Sequence, residues 1–359
     1  MLAYFKEKID STSNKMITYA DYMADALYHP QWGYYMKQGE KVGRKGDFIT
    51  TSNVSDIYGR LMAKWFIKLR NELNLPPNIC EIGAGNGRFA AAFIDEWKKN
   101  SDLPLHYHIM EESPYHRELQ KDNITFDNTI KQVDSLESIK PFKGFIFSNE
   151  LFDALPVHVI ERKAGKLLEV MVSYEQDELV EKFVPLENDD IVRFLEVSKL
   201  KIKANQRIEI PLAMVGMLRR ISNVLEQGMM VTVDYGYSNK EWMETIHRDG
   251  SLRGYYKHEL MNNVLENPGQ MDITSHVHFD SLIGFGEQYD LNFVKQQRQD
   301  EFLMSIGILK ELEDHYDPNP FSEISRRNRS IRSLILPSGM SSYFQVVIQK
   351  KGIPNIECI

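Results

Sequence analysis

Short apolar runs of strand length alternate with amphipathic runs of helix length through the first half of the chain. Residues 78–83 form a buried-type strand, 87–98 carry apolar positions at helical spacing, and the pair recurs as strand 105–111, helix 114–121 and strand 144–150. Strands separated by helices predict a parallel sheet with helices on both faces. Ahead of this block, 17–27 reads as a helix with Thr18 as its N-cap and Asp21 three residues on, and 55–73 as an amphipathic helix containing Trp65 and Phe66. Behind it the alternation breaks. Three β-rich runs fill 157–185, with Lys163-Ala164-Gly165-Lys166 as a hairpin connection, so an antiparallel insertion is expected. Helical patterns follow at 189–200 and 211–226, then a buried strand at 228–236. Residues 237–285 are irregular and rich in Tyr, His, Asn and Gly, a length of loop that usually carries function. The tail adds a strand at 288–295, a helix at 299–315 and a closing strand at 343–349.

These patterns divide the chain into an N-terminal helical and lid region (1–74), the first half of an α/β core (75–156), an antiparallel β and helical insertion (157–208), the second half of the core (209–236), a substrate-side loop region (237–285) and C-terminal core strands with a helix (286–359).

Composition narrows the function classes. At 359 residues with 42% hydrophobic and 26% charged side chains, the chain reads as an ordinary globular protein with ample core. A net charge of −8 argues against a general nucleic-acid binder or a binder of anionic membranes. Cys80 and Cys358 are the two cysteines, which supports neither a disulfide framework nor a cysteine zinc site and suits a reducing compartment. No run of about 18 apolar residues is present, so no membrane insertion is expected. Residues 1–15 mix Lys6, Lys8 and Lys15 with Glu7 and Asp10, unlike a signal or transit peptide, and a cytoplasmic location is expected. Among the histidines His29, His258, His276 and His278, only His276 and His278 are spaced to share a face, and no third ligand joins them; no metal site is expected. The arginines at 326, 327, 329 and 332 read as a solvated face, and Trp32-Tyr34-Tyr35 as packing.

The chemistry concentrates in Asn78 to Arg88, Asn-Ile-Cys-Glu-Ile-Gly-Ala-Gly-Asn-Gly-Arg. A strand, a glycine turn and a helix start form a nucleotide-sized cradle, because glycine turns sharply with positive φ and the helix N-terminus offers free N–H groups. Dinucleotide folds want a small third glycine in G-x-G-x-x-G where this chain has Arg88. Here an acid, Glu81, precedes Gly83, Gly85 and Gly87, which suits S-adenosylmethionine: its amino-acid half carries an ammonium and there is no pyrophosphate to hold. Glu111 ends the second strand, where an acid accepts both ribose hydroxyls.

Several further segments accompany this turn: Ala26-Leu27-Tyr28-His29-Pro30 with Gly33-Tyr34-Tyr35, Gly46-Asp47-Phe48-Ile49-Thr50, Glu111-Glu112-Ser113-Pro114, Asn149 to Val157, Asp234-Tyr235-Gly236, Gly250-Ser251-Leu252-Arg253 with Tyr255, Pro268-Gly269 with Asp272-Ile273-Thr274, and His276-Val277. With them the chain resembles the MidA-like class I methyltransferases, relatives of the mitochondrial complex I assembly arginine methyltransferase, from about Thr18 to Gly307. It departs from the family at Asn53-Val54, where Pro-Glu is usual, and at His278, where Asp is usual.

The resemblance implies an α/β fold of the Rossmann-like class I methyltransferase type: a seven-stranded sheet with an N-terminal helical extension and a β-rich insertion. It also implies S-adenosylmethionine as cofactor, with Gly83, Gly85 and Gly87 under its methionine half, Glu81 orienting the ammonium, Glu111 on the ribose and Asp134 after the third strand near the adenine. Gly46, Asp47 and Phe48, with Thr50, are expected to form a lid over the cofactor or the acceptor channel. Asn149, Glu150 and Asp153, at and after the end of the fourth strand, are the candidate catalytic residues. If the acceptor is arginine, Glu150 and Asp153 could hold its guanidinium with charge-assisted bonds; the other reading has Glu150 capping a helix and Asp153 in its first turn. The expected partner is a protein substrate methylated on arginine. Methylation of a small molecule, or a cofactor-binding assembly factor that works by docking, stays open, as does the oligomeric state, a homodimer included.

Overall fold

The central strands form where apolar and β-branched residues can be covered on both faces. β1 (Asn78–Ile82), β2 (His106–Met110), β3 (Ile130–Val133), β4 (Phe142–Asn149), β5 (Leu225–Tyr237), β6 (Asn292–Arg298) and β7 (Phe344–Lys351) make one sheet in the order β3-β2-β1-β4-β5-β7-β6. The first five are parallel, β7 runs antiparallel to β5, and β6 is antiparallel to β7. The computed structural model describes residues 1–39, 56–257, 259–312, 318–336 and 340–354.

The described residues fall into two compact units. The sheet unit takes those within Ile49–Leu151, Arg220–Tyr235 and Asp290–Ile359. Its core joins Ile79, Tyr107, Phe145 and Val231 of the strands to Tyr58, Phe66, Phe93 and Trp97 of helices Asp56–Leu73 and Arg88–Asn100. Gly59 lets these helices touch: a Cβ there would lie 2.7 Å from the Phe89 carbonyl and 2.9 Å from Ala92 Cβ.

The second unit takes those within Met1–Phe48, Phe152–Arg219 and Gly236–Tyr289. Its antiparallel sheet orders Ile17–Thr18, Lys166–Glu175, His158–Lys163 and Arg207–Ile210, with Glu178–Pro185 also on Lys166–Glu175. Left-handed Ala164 and Gly165 make the first hairpin turn, as the Lys-Ala-Gly-Lys pattern predicts, and left-handed Gln176 and Asp177 make the second. Helix Tyr19–Tyr28 opens with the expected capping box between Thr18 and Asp21.

Three expectations need correction. Residues 237–285 are not structureless: Arg253–Tyr256 pairs with Glu259–Met261 and Asp272–Thr274, Val277–His278 pairs with the end of β5, and Phe279–Gln288 is a helix. Strands of two to four residues are too short to show alternation. The tail helix stops at Ser305, because left-handed Gly307 breaks it before a 3-10 turn at Ile308–Glu311. No helix follows Glu150; β4 runs into a turn, so Glu150 does not cap a helix.

Candidate functional site

The glycine turn after β1 takes the conformation its composition predicts, with φ of +75°, +53° and +78° at Gly83, Gly85 and Gly87. The three serve different ends. A Cβ on Gly87 would lie 2.9 Å from Gln120 Cγ and Ile124 Cδ1, and one on Gly83 3.2 Å from Leu151 Cδ1. A Cβ on Gly85 would meet nothing within 4 Å, so the turn presents an open face there. Amides of helix Pro114–Asn123 hold the loop from below: Gln120 Nε2 donates to Gly85 O at 2.7 Å and Asn123 Nδ2 to Asn86 O at 3.0 Å.

Glu81, next to last in β1, is 4% exposed. Tyr107 of β2 donates its hydroxyl to Glu81 Oε2 at 2.6 Å. Burial pushes the Glu81 carboxyl up to about 7, the Tyr107 bond opposes this, and the charge of Glu111 adds to the rise. Glu111 just past β2 is clamped by backbone: Gly85 N–H donates to Oε2 at 2.8 Å and Ser113 N–H to Oε1 at 2.9 Å. Ser113 in turn caps helix Pro114–Asn123, with Pro114 at its first turn. Glu111, at the end of the second strand, therefore braces the glycine turn. Asp134 follows β3 directly; its side chain is 90% exposed and pairs with Arg117 at 2.8 Å.

At the end of β4, Glu150 adopts φ +52°, a strained conformation for a non-glycine residue. Its N–H donates to Val233 O at 2.9 Å, and Asn149 Nδ2 donates to its Oε1 at 2.9 Å. The sheet unit thus gathers Glu81, the three glycines, Glu111, Asn149 and Glu150 at the carboxyl ends of β1, β2 and β4, the crevice where open α/β sheets bind ligands.

Asp153 belongs to the second unit and is 4% exposed. Its carbonyl accepts Ser275 N–H at 2.9 Å and the next carbonyl, Ala154 O, accepts the Tyr28 hydroxyl at 3.0 Å. Close by, Tyr35 donates to Asp272 Oδ1 at 2.6 Å; burial, and then the charges of Asp272 and Asp153, push the hydroxyls of Tyr35 and Tyr255 up. Asp272 and Tyr35 were legible only as part of the family segments, not as site residues. Tyr107 and Ser113 were missed as well; the Ser-Pro step after Glu111 was the available signal for the second.

Gly46, Asp47, Phe48 and Thr50, the expected lid, lie outside the described residues, as do Asn53, Val54 and His258. Among the described residues no group of three or more His, Cys, Asp and Glu side chains converges as a metal site. His276 stacks on Tyr237 at 4.5 Å and His278 on Trp242 at 4.5 Å. Tyr35 stacks on Tyr28 at 5.5 Å, and Arg327 pairs with Glu311 at 2.8 Å. No helix among the described residues is long and apolar enough to cross a membrane.

A parallel sheet closed by one antiparallel strand, with a glycine turn after β1 and acids at the ends of β1 and β2, defines a class I S-adenosylmethionine-dependent methyltransferase. The open face over Gly85 and the buried Glu81 fit that cofactor, whose methionine end is cationic at its ammonium and sulfonium. By sequence the chain belongs to the family described as "Putative S-adenosyl-L-methionine-dependent methyltransferase", whose model matches residues 61–296. It is similar to the mitochondrial protein arginine methyltransferase NDUFAF7 of Rattus norvegicus, at 26% identity over 86% of this chain and 74% of the relative. The Bos taurus protein of the same name is 27% identical over 88% and 76%. A Burkholderia thailandensis protein solved with S-adenosyl-homocysteine superposes with a TM-score of 0.89, 24% identity, and coverage of 99% of this chain and 92% of that one.

Proposed function

We propose that this methyltransferase modifies an arginine side chain of a partner protein. The relatives at 26–27% identity bear the name protein arginine methyltransferase, and the residues this chain places at the end of β4 suit that acceptor. The observation that carries the reading is Glu150, held in a left-handed conformation at a strand end by its N–H bond to Val233 and by Asn149. Strain of that kind persists where surrounding contacts enforce it, and it clusters at active sites. The cofactor supplies an activated methyl group; the protein's task is to hold the nucleophile in line with it. Glu150 would bind an edge of a guanidinium with charge-assisted bonds. Asn149 would fix the Glu150 rotamer, and Asp134 would lie toward the adenine.

Incubating an extract with the protein and methyl-labelled cofactor tests this. One labelled protein band, with label on arginine after hydrolysis, is the expected result; a labelled small molecule would replace the reading, and no label would point to a docking role. Glu150→Gln should remove transfer and leave cofactor binding measurable, and full activity in that variant would defeat its assignment.

A further inference from the structure

The insertion in the second unit builds a cavity of about 550 Å³ from its own residues. One side is a cross-strand pair, Arg162 of His158–Lys163 opposite Leu167 of Lys166–Glu175. Side chains alternate along a strand, so both lie on the face away from Val159 and Val170, which belong to the unit's core. Helix Asp189–Ser198 supplies another side. Its Ile191 and Phe194 are buried, Phe194 stacking on Phe285 at 5.3 Å, and its Val192 and Leu195 line the cavity. Leu200 joins them just after left-handed Lys199 ends the helix. Backbone bonds tie the connection that follows to the strand: Arg162 N–H donates to Gln206 O at 3.0 Å, and Asn205 N–H to Arg162 O at 2.7 Å.

Three charged side chains line this apolar space: Arg162, Glu196 and Lys201. None of them forms an ion pair with a described residue. Glu196 and Lys201 are exposed, and their charges offset each other. Arg162 is half-buried, and its Nε is shut off from solvent with no acceptor. A buried carboxyl or amine can neutralise itself, whereas a guanidinium keeps its charge and its five donors. The cavity therefore has one uncompensated cation among aliphatic side chains.

We infer that this cavity binds an aliphatic carboxylate, its head group on Arg162 and its chain along Leu167, Val192, Leu195 and Leu200. A group that only accepts matches the orphaned Nε–H, and charge-assisted bonds to a guanidinium are among the strong ones. The volume lies within the roughly 300–1,000 Å³ of small-molecule sites, which are mostly apolar with a few fixed polar groups. Each methylene taken out of water adds affinity, so an anion without a chain gains little here. The site shares no residue with the glycine turn or Glu150, so it stands or falls separately from the arginine reading.

Calorimetric titration with octanoate, acetate and uncharged octanol tests this. One octanoate should bind per chain, and acetate should not bind. Arg162→Met keeps an unbranched stem and removes the charge; it should lose about tenfold or more in affinity for octanoate and bind octanol as the parent does. Val192→Asp, at a position 40% exposed, puts an acid in the path of the chain and should weaken both ligands. The melting temperature of Arg162→Met should hold or rise, because an orphaned donor is removed, and this shows that the variant folds. Octanoate binding unchanged in Arg162→Met, or absent from the parent, would overturn the assignment; absence would mean that Arg162 holds ordered water only. Binding of an acidic, leucine-containing peptide without binding of octanoate would overturn it in favour of a groove for protein.

Discussion

The Tyr107 hydroxyl donates to Glu81 Oε2 at 2.6 Å from the neighbouring strand, inside the core of the sheet unit. Tyr107 is in register with Ile79, so it shares a face with Ile79 and Glu81, two residues apart on β1. One oxygen of the acid is thereby satisfied from beneath. Burial still dominates, and the carboxyl sits near pH 7 rather than in the usual range.

That placement predicts proton release on cofactor binding. Near pH 6.5 the free protein holds much of its Glu81 protonated, and an arriving ammonium favours the ionised form. Calorimetry of S-adenosylhomocysteine in buffers of different ionisation enthalpy should show about half a proton or more released at pH 6.5 and almost none at pH 9. Glu81→Gln should abolish the release and weaken binding by about ten- to a hundredfold. Release unchanged in that variant would place the titrating group elsewhere.

Gly85 and Gly87 should respond differently to alanine. Both have positive φ, so each substitution strains the backbone by about 1–2 kcal/mol. Gly87→Ala adds a collision with Gln120 and Ile124 and should lower the melting temperature further. Gly85→Ala finds open space and should fold well, yet is expected to lose cofactor affinity, because its methyl group would fill the open face over the turn. Equal melting temperatures for the two variants would contradict this division.

The same contrast shows what the sequence could reveal. Asn78 to Gly87 announces a strand and a glycine cradle, because local propensity and backbone freedom are written in residue types. Thr18 with Asp21, and Lys163 to Lys166, likewise specify their cap and turn locally. The Tyr107–Glu81 bond joins residues 26 positions apart, a separation no local pattern encodes. The short strands at 253–278 stayed hidden because two to four residues carry too little alternation to be read.

The bracing of the glycine turn by Glu111 and the ribose contact expected of it can be separated by mutation. Its carboxylate bridges Gly85 N–H and Ser113 N–H, so it braces the turn before any ligand arrives. Glu111→Ala should cost about 1–3 kcal/mol of unliganded stability, as two backbone donors lose a charged acceptor. Glu111→Gln keeps an acceptor for one of them and should recover part of that loss while still binding the cofactor weakly. A melting temperature unaffected in Glu111→Ala would leave the residue with the ribose role alone.

The histidines of the second unit and Glu81 of the sheet unit set opposite pH limits. Burial lowers His276 to about 4, aided by His247 and Arg253, and lowers His278 to about 3 between the rings of Trp242 and Phe194. Their folded values lie below the unfolded value near 6.5, so the folded state refuses protons that the unfolded chain binds. The stability they permit is full above pH 6.5 and declines as pH falls toward 4. Glu81 has the reverse sign: its folded value exceeds the unfolded 4.5, so its contribution is full below that and declines as pH rises through 7. Urea unfolding across pH 4–9 should therefore give a maximum near neutrality with a steeper fall on the acid side, where two groups act. His278→Phe should flatten the acid limb and leave the alkaline limb alone, and Glu81→Gln should do the opposite. If one variant flattened both limbs, the two units would not be titrating through these groups.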